Sequence, residues 1–313
     1  MTMFLFDVAR EHASLLLRAM RTACVADERV DPNERVLLES ARDALGLEGD
    51  VDALAPLTID ELGDTDMSAA EREHVIQAMI LMTIIDGDAT APEAAVVTNF
   101  AKTLSVDDPR VRNIEQLAKG RALAMQWDLT RKGYAKDEFF RTAREEGLHG
   151  IYATFGPIVG MGNDAEVAKR YNDLGKLPAG TLGRAYWDFI VQNELSFPGE
   201  KNGLGERGVW HDMLHVVGGY PITPVGEAEV VAFMAGFRRE DPFFWIFTVV
   251  LQFQVGLRIS PFAPGVPHQI DPKSFVRHHE RGAAVLVDIS RDWDFRADFA
   301  SPLDQVREKL GVV

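Results

Sequence analysis

The feature that most constrains the fold is an internal duplication. ADERVDPNERVLLESARDALGL from Ala26 aligns with IDGDATAPEAAVVTNFAKTLSV from Ile85, pairing Asp27 with Asp86 and Glu34 with Glu93, both fifty-nine positions apart. Each copy holds the end of one helical pattern, a short acidic turn carrying a proline, and a second helical pattern, which predicts a duplicated helix-turn-helix. Upstream, Leu16, Leu17, Met20 and Ala23 fall at helical spacings, and Asp31-Pro32-Asn33-Glu34 reads as a cap opening a further helix from Arg35 to Leu45. No run of period-two alternation interrupts this region. The expected fold class is all-α, with the two copies packed as a pseudo-symmetric bundle.

The acidic turn of the second copy, Asp86-Gly87 followed by Glu93, resembles the TerB-like domains named for tellurite resistance, whose mark is Asp-Gly-x-x-x-x-x-Glu between two helices. The first copy has Glu28 where the glycine would stand. The resemblance implies metal binding or partner docking, and the four carboxylates Asp27, Glu34, Asp86 and Glu93 suit a hard cation such as calcium. The competing reading is that Asp27 and Asp86 cap helices and complement their dipoles.

A chain of 313 residues is long enough for two domains. The expected division is a helical domain over 1–120, a helical linker over 121–150 and a second domain over 151–313. In the middle, the charged stretch from Arg131 to Glu146 reads as a solvated helix, and the glycines of GLHGIYATFGPIVGMGN read as loop. With 46% hydrophobic and 26% charged residues the composition is that of a folded globular protein. A net charge of -15 repels phosphate backbones, so nucleic acid is not an expected partner. The single cysteine, Cys24, has apolar neighbours and reads as a buried thiol in a reducing cytoplasm. Asp7, Arg10 and Glu11 interrupt the first residues before a signal-peptide run forms, so secretion is not expected. Phe243–Leu257 is uncharged but shorter than the roughly 18–20 residues a membrane span needs; it reads as a core helix or as the lining of a lipid pocket.

The chemistry concentrates in VWHDMLHVVGGYPITPVGEAEVVAFMAGF, from Val209. His211 and His215 stand four apart, so on a helix both imidazoles project from one face and can reach one ion. Gly218 and Gly219 end that helix, Pro221 and Pro224 shape the connection, and Glu227 opens the next helix, which can return it to the histidines. Two imidazoles and two carboxylates neutralise a divalent ion, and the mixture suits zinc, with manganese or iron as alternatives. Asp212 points about 100° away from His211 around the helix, so it either binds through local distortion or sits behind the ligands. It is both a candidate ligand and the candidate catalytic residue. With Asp212 bound the site is closed and structural; without it a position stays open for water or substrate. The run also resembles the His-Glu-x-x-His of zinc proteases, but Asp212 stands where that motif has its Glu, with Met213 and Leu214 in the middle, and the shorter acid argues against protease chemistry.

His211-Asp212-Met213-Leu214-His215, eleven residues and Glu227 has the spacing of the His-Asp-x-x-His motif of the Coq-four family of ubiquinone-biosynthesis proteins. LPAGTLGRAYWDFIVQNELS from Leu177 resembles the aromatic helix preceding that motif, and RDWDF with SPLDQVREKLGVV resembles the closing segments. Gly208-Val209-Trp210 stands where the family has Tyr-Arg-Glu. The resemblance covers about 150–313. It implies metal ligands at His211, Asp212, His215 and Glu227 and a polyprenyl lipid or quinone precursor as partner. It also implies head-group decarboxylation coupled to oxidation, as in a metal-dependent lyase or oxidative decarboxylase, or the organisation of a biosynthetic protein complex. A place on the inner face of a membrane and a homodimer are further expectations.

Two alternatives stand beside it: a lipid-binding scaffold with a structural zinc, and an HD-type metal phosphohydrolase, which shares the adjacent His-Asp. His278-His279-Glu280 reads as a polar helix face, since adjacent histidines diverge. No Gly-rich phosphate loop, nucleophile elbow or cysteine pair is present.

Overall fold

The computed structural model describes residues 5–63, 65–132, 164–203, 205–259 and 263–312. The expected helix at 131–146 lies almost wholly outside them, and the glycine-rich loop up to Asn163 entirely so. Among the described residues the chain is all-α, with no β-strand; extended backbone meets only in a bridge between Thr181 and Pro302. It forms two compact units, Met1–Asp128 with Glu227–Ala283, and Leu129–Gly226 with Ala284–Val313.

The duplication organises the first unit. Helix α1 (Ala13–Cys24) leads to α2 (Pro32–Ala44). After the short α3 (Ile59–Gly63), α4 (Ala69–Met82) leads to α5 (Ala91–Thr103), so α2 and α5 start and stop at equivalent positions of the repeat. Both open with a capping box: Asp31 with Glu34, and Thr90 with Glu93. The caps are therefore Asp31 and Thr90, not Asp27 and Asp86. Those two aspartates act inside the turns, where Asp27 accepts from the Arg29 N–H at 2.9 Å and Asp86 from the Asp88 N–H at 3.0 Å. Residues 28 and 87 turn the chain with positive φ, +66° at Glu28 and +101° at Gly87.

Helix α4 is buried from His74 through Met82, as an apolar helix at the centre of a core must be. The first unit also takes in α6 (Pro109–Ala118), α7 (Ala122–Lys132) as far as Asp128, α11 (Pro224–Phe237) from Glu227 onward, α12 (Pro242–Phe253) and α13 (Pro272–Ala283). Partners remote in sequence hold the later segment of this unit. Arg110 donates to both oxygens of Asp108 and to Asp241 at 2.6 Å, with its guanidinium over the Phe243 ring. The fully buried Gln254 donates to the Ile85 carbonyl at 2.7 Å and accepts from the Ile270 N–H at 3.0 Å. Gly236 and Gly282 let the backbones of α11 and α13 touch, since a Cβ at either would meet backbone atoms of the other helix.

The uncharged run reads out as a core helix: Phe243, Ile246, Phe247, Val249, Val250, Leu251 and Phe253 are all buried. Among the described residues no helix is long and apolar enough to cross a membrane. In α13, His279 is buried rather than on a polar face, and its burial pushes its pKa down to about 4.

The second unit holds α8 (Ala165–Asn172), α9 (Leu182–Gln192), α10 (Val209–Gly218) and α14 (Leu303–Leu310). Tyr171, Tyr186, Met213, Leu214 and Val306 are buried in its core. Arg307 of α14 reaches the last carbonyls of α10, donating to Val217 at 2.9 Å, where a cation complements the helix dipole.

Candidate metal centre

The C-terminal end of helix α10 is fixed by backbone requirements. Gly219 follows it in the left-handed region at φ +76°, and its N–H and that of Tyr220 both donate to the His215 carbonyl. The chain then turns through Pro221–Thr223 into α11, where the Gly226 N–H donates to Thr223 Oγ1 at 3.2 Å. A side chain at Gly226 would collide with the Pro221 carbonyl, so this return is as tight as the backbone allows. Glu227 falls in the first turn of α11.

The hairpin brings three of the four expected ligands together. His211, His215 and Glu227 each offer a ligand atom, and these atoms all lie within 4.8 Å of one another. The Nε2 atoms of the two histidines face each other at 3.3 Å. Tetrahedral zinc with Zn–N bonds of about 2.0–2.1 Å sets two ligand nitrogens about 3.3 Å apart, so the observed edge fits the ion. His215 is oriented by its Nδ1, which donates to the Tyr220 carbonyl at 3.1 Å and so leaves Nε2 as the acceptor nitrogen that faces His211. Phe189 of α9 stacks on the same imidazole, with centroids 5.6 Å apart, and limits its rotation.

Asp212 stands differently. It is outside the group of converging ligand atoms, and its Oδ2 accepts from the Tyr186 hydroxyl at 3.4 Å. Burial, with the Asp212 charge beside it, raises the Tyr186 phenol above its ordinary range and keeps the proton on oxygen. Tyr186 and the Tyr220 carbonyl carry no motif of their own. Tyr186 belongs to the aromatic helix singled out in sequence, but no spacing rule links it to Asp212.

The acidic turns supply no such converging group among the described residues. Among the described residues, His211, His215 and Glu227 are the only group of three or more potential ligands at this spacing. Glu34 and Glu93 each use one carboxylate oxygen in a capping box, accepting the Asp31 N–H at 2.7 Å and the Thr90 N–H at 2.8 Å. Burial foremost, then the neighbouring carboxylates, pushes Glu34 up to about 8 and Glu93 up to about 7.

Two neutral imidazoles and one carboxylate leave a divalent ion with net positive charge and, in four-coordination, one position for an outside ligand. Such a centre can polarise an anionic oxygen group or water. No protein-family model matches the chain, and no curated protein matches it.

Proposed function

We propose that the chain is a metal-dependent protein of ubiquinone or related quinone biosynthesis, with a Coq-four-like metal hairpin and a TerB-like duplicated helical region. The observation that carries this reading is the convergence of His211, His215 and Glu227 on one point, with His215 oriented through Nδ1. The His-Asp-x-x-His spacing and Glu227 supply the resemblance; the facing Nε2 atoms supply the geometry. A zinc ion held there provides a Lewis acid, and a net positive centre suits an aromatic head group bearing a carboxylate or phenolate. The two histidines and Glu227 hold and orient, while Asp212 stands beside the centre with its carboxylate directed by Tyr186.

A catalytic metal is preferred over a purely structural zinc, because three protein donors leave a coordination position that four would close; the metal would serve as a Lewis acid for head-group decarboxylation, and since zinc is redox-inactive the coupled oxidation would draw on an external electron acceptor such as dioxygen. The polyprenyl tail, association with a membrane surface and a biosynthetic complex belong to the same proposal.

Native mass spectrometry with elemental analysis, beside an organic extract, tests it. One zinc per chain with a prenylated aromatic ligand is the expected result. Protein purified and reconstituted without stoichiometric metal would discard the metal reading, and metal without any isoprenoid ligand would shift the proposal towards a different small anionic substrate.

A further inference from the structure

Resting on the metal reading above, we infer that Tyr186 is a positioning residue that holds Asp212 off the ion and so keeps one coordination position open to an exogenous anion. Three observations converge. Asp212 follows His211 directly, so it leaves the helix about 100° around the axis from the first ligand. Its carboxylate is outside the set of ligand atoms that lie within 4.8 Å of one another. Its Oδ2 meets the hydroxyl of Tyr186 at 3.4 Å.

The tyrosine is suited to this work because it cannot easily yield. Its side chain is fully buried, and its ring packs edge-on against Tyr171 at 5.9 Å. Tyr171 is itself anchored, its hydroxyl donating to Glu206 at 3.1 Å, and Glu206 is paired with Arg170 at 2.7 Å. A buried phenol that lost this acceptor would leave its hydroxyl unsatisfied, a loss of about 1–3 kcal/mol that opposes any swing of Asp212 towards the ion. The motif that could close a four-ligand site is thereby kept as a three-ligand site with a carboxylate beside it.

Cobalt(II) substitution of the full chain reads this directly, with azide as the probe. Wild-type protein is expected to bind one cobalt and to show a saturable change in its visible spectrum with azide. In Tyr186→Phe the cobalt remains, the spectrum changes without azide as Asp212 joins the ion, and azide affinity falls by about 10-fold or more, the scale of outer-sphere effects on metal sites. Tyr186→Phe/Asp212→Ala restores the azide response. A Tyr186→Phe protein with the wild-type spectrum and azide affinity overturns the inference while leaving the metal site standing; a wild type that binds no cobalt overturns the metal reading and the inference together. If Tyr186→Phe fails to fold, Asp212→Ala decides alone: one retained cobalt with wild-type azide binding supports the inference, and loss of cobalt makes Asp212 a ligand and refutes it.

Discussion

The acidic turns of the repeat and the α10–α11 hairpin both gather ionisable side chains at the junction of two helices, yet they use them oppositely. In the turns, Glu34 and Glu93 are buried, engaged by backbone N–H groups and pushed towards neutrality. In the hairpin, His215 makes its backbone hydrogen bond with Nδ1 and so directs Nε2 at its neighbour. Proximity of charged residues therefore does not define a metal site. What marks a candidate one is ligand atoms that converge on a shared point after the backbone has been satisfied.

The strongest way to break this contrast is to remove one member from each side. His215→Ala is expected to abolish stoichiometric zinc binding, a larger loss than the roughly 10–100-fold typical of an outer-sphere change. Glu34→Gln should leave metal content unaltered in elemental analysis. Equal loss of metal from both variants would erase the distinction.

Within the repeat, the second turn is held more tightly than the first. A Cβ on Gly87 would fall 2.7 Å from His268 Cε1 and 3.0 Å from the Gln254 carbonyl oxygen, in addition to the positive φ. Gly87→Ala is therefore expected to destabilise the first unit by about 2 kcal/mol or more, measured by urea unfolding. A neutral result would show that the turn can relax away from residues 254–268.

The pH dependence follows from the raised carboxyl groups. Their folded pKa values exceed those of the unfolded chain, so their contribution is fully present below about 4.5 and is lost as pH rises towards 7 and 8. His12, raised chiefly by its hydrogen bond to Glu71, acts in the same direction above the ordinary histidine value of about 6.5. The buried His279, lowered by desolvation, acts in the opposite direction as pH falls from 6.5 to about 4. Comparing wild type with Glu34→Gln/Glu93→Gln isolates the carboxyl contribution, because Gln keeps the capping-box acceptor. The double variant should lose less stability between pH 5 and pH 8, by several degrees of Tm on the scale of about 4–8 °C per kcal/mol for a small domain. Parallel profiles would mean that both glutamates titrate normally.

The smallest expected effect is the mirror of Gly87→Ala. Glu28 occupies the equivalent turn position with φ +66° and the strain of a side chain in the left-handed region. Glu28→Gly should stabilise by up to about 1 kcal/mol, the released strain being partly offset by unfolded-state entropy. A loss of stability would assign Glu28 a contact worth more than its backbone strain.

Much of the fold was legible along the chain because its determinants are local. Helical spacing and the fifty-nine-residue offset place α2 and α5 at matching positions, and the proline-bearing starts of both helices are in the sequence. The capping residues were harder to read: Asp27 and Asp86 have cap chemistry, but the N–H groups they reach lie in the turns, and Asp31 and Thr90 occupy the helix starts. At the site, the four-residue spacing of the histidines and the tight return to Glu227 were readable from helix geometry. The role of Asp212 was not, since it depends on Tyr186, twenty-six residues away.

Sequence by itself determined the helical class, the duplicated unit and the pairing of His211 with His215, because these follow from a repeat, a period and a spacing within two helical turns. Only the tertiary structure decided that residues 227–283 join the N-terminal helices, that Glu34 and Glu93 are buried towards neutrality, and that Asp212 turns to Tyr186. The physical reason is range: hydrogen bonds along a helix are set by neighbours in the chain, whereas burial, desolvation and the partner of a side chain are set by whichever distant segment packs against it.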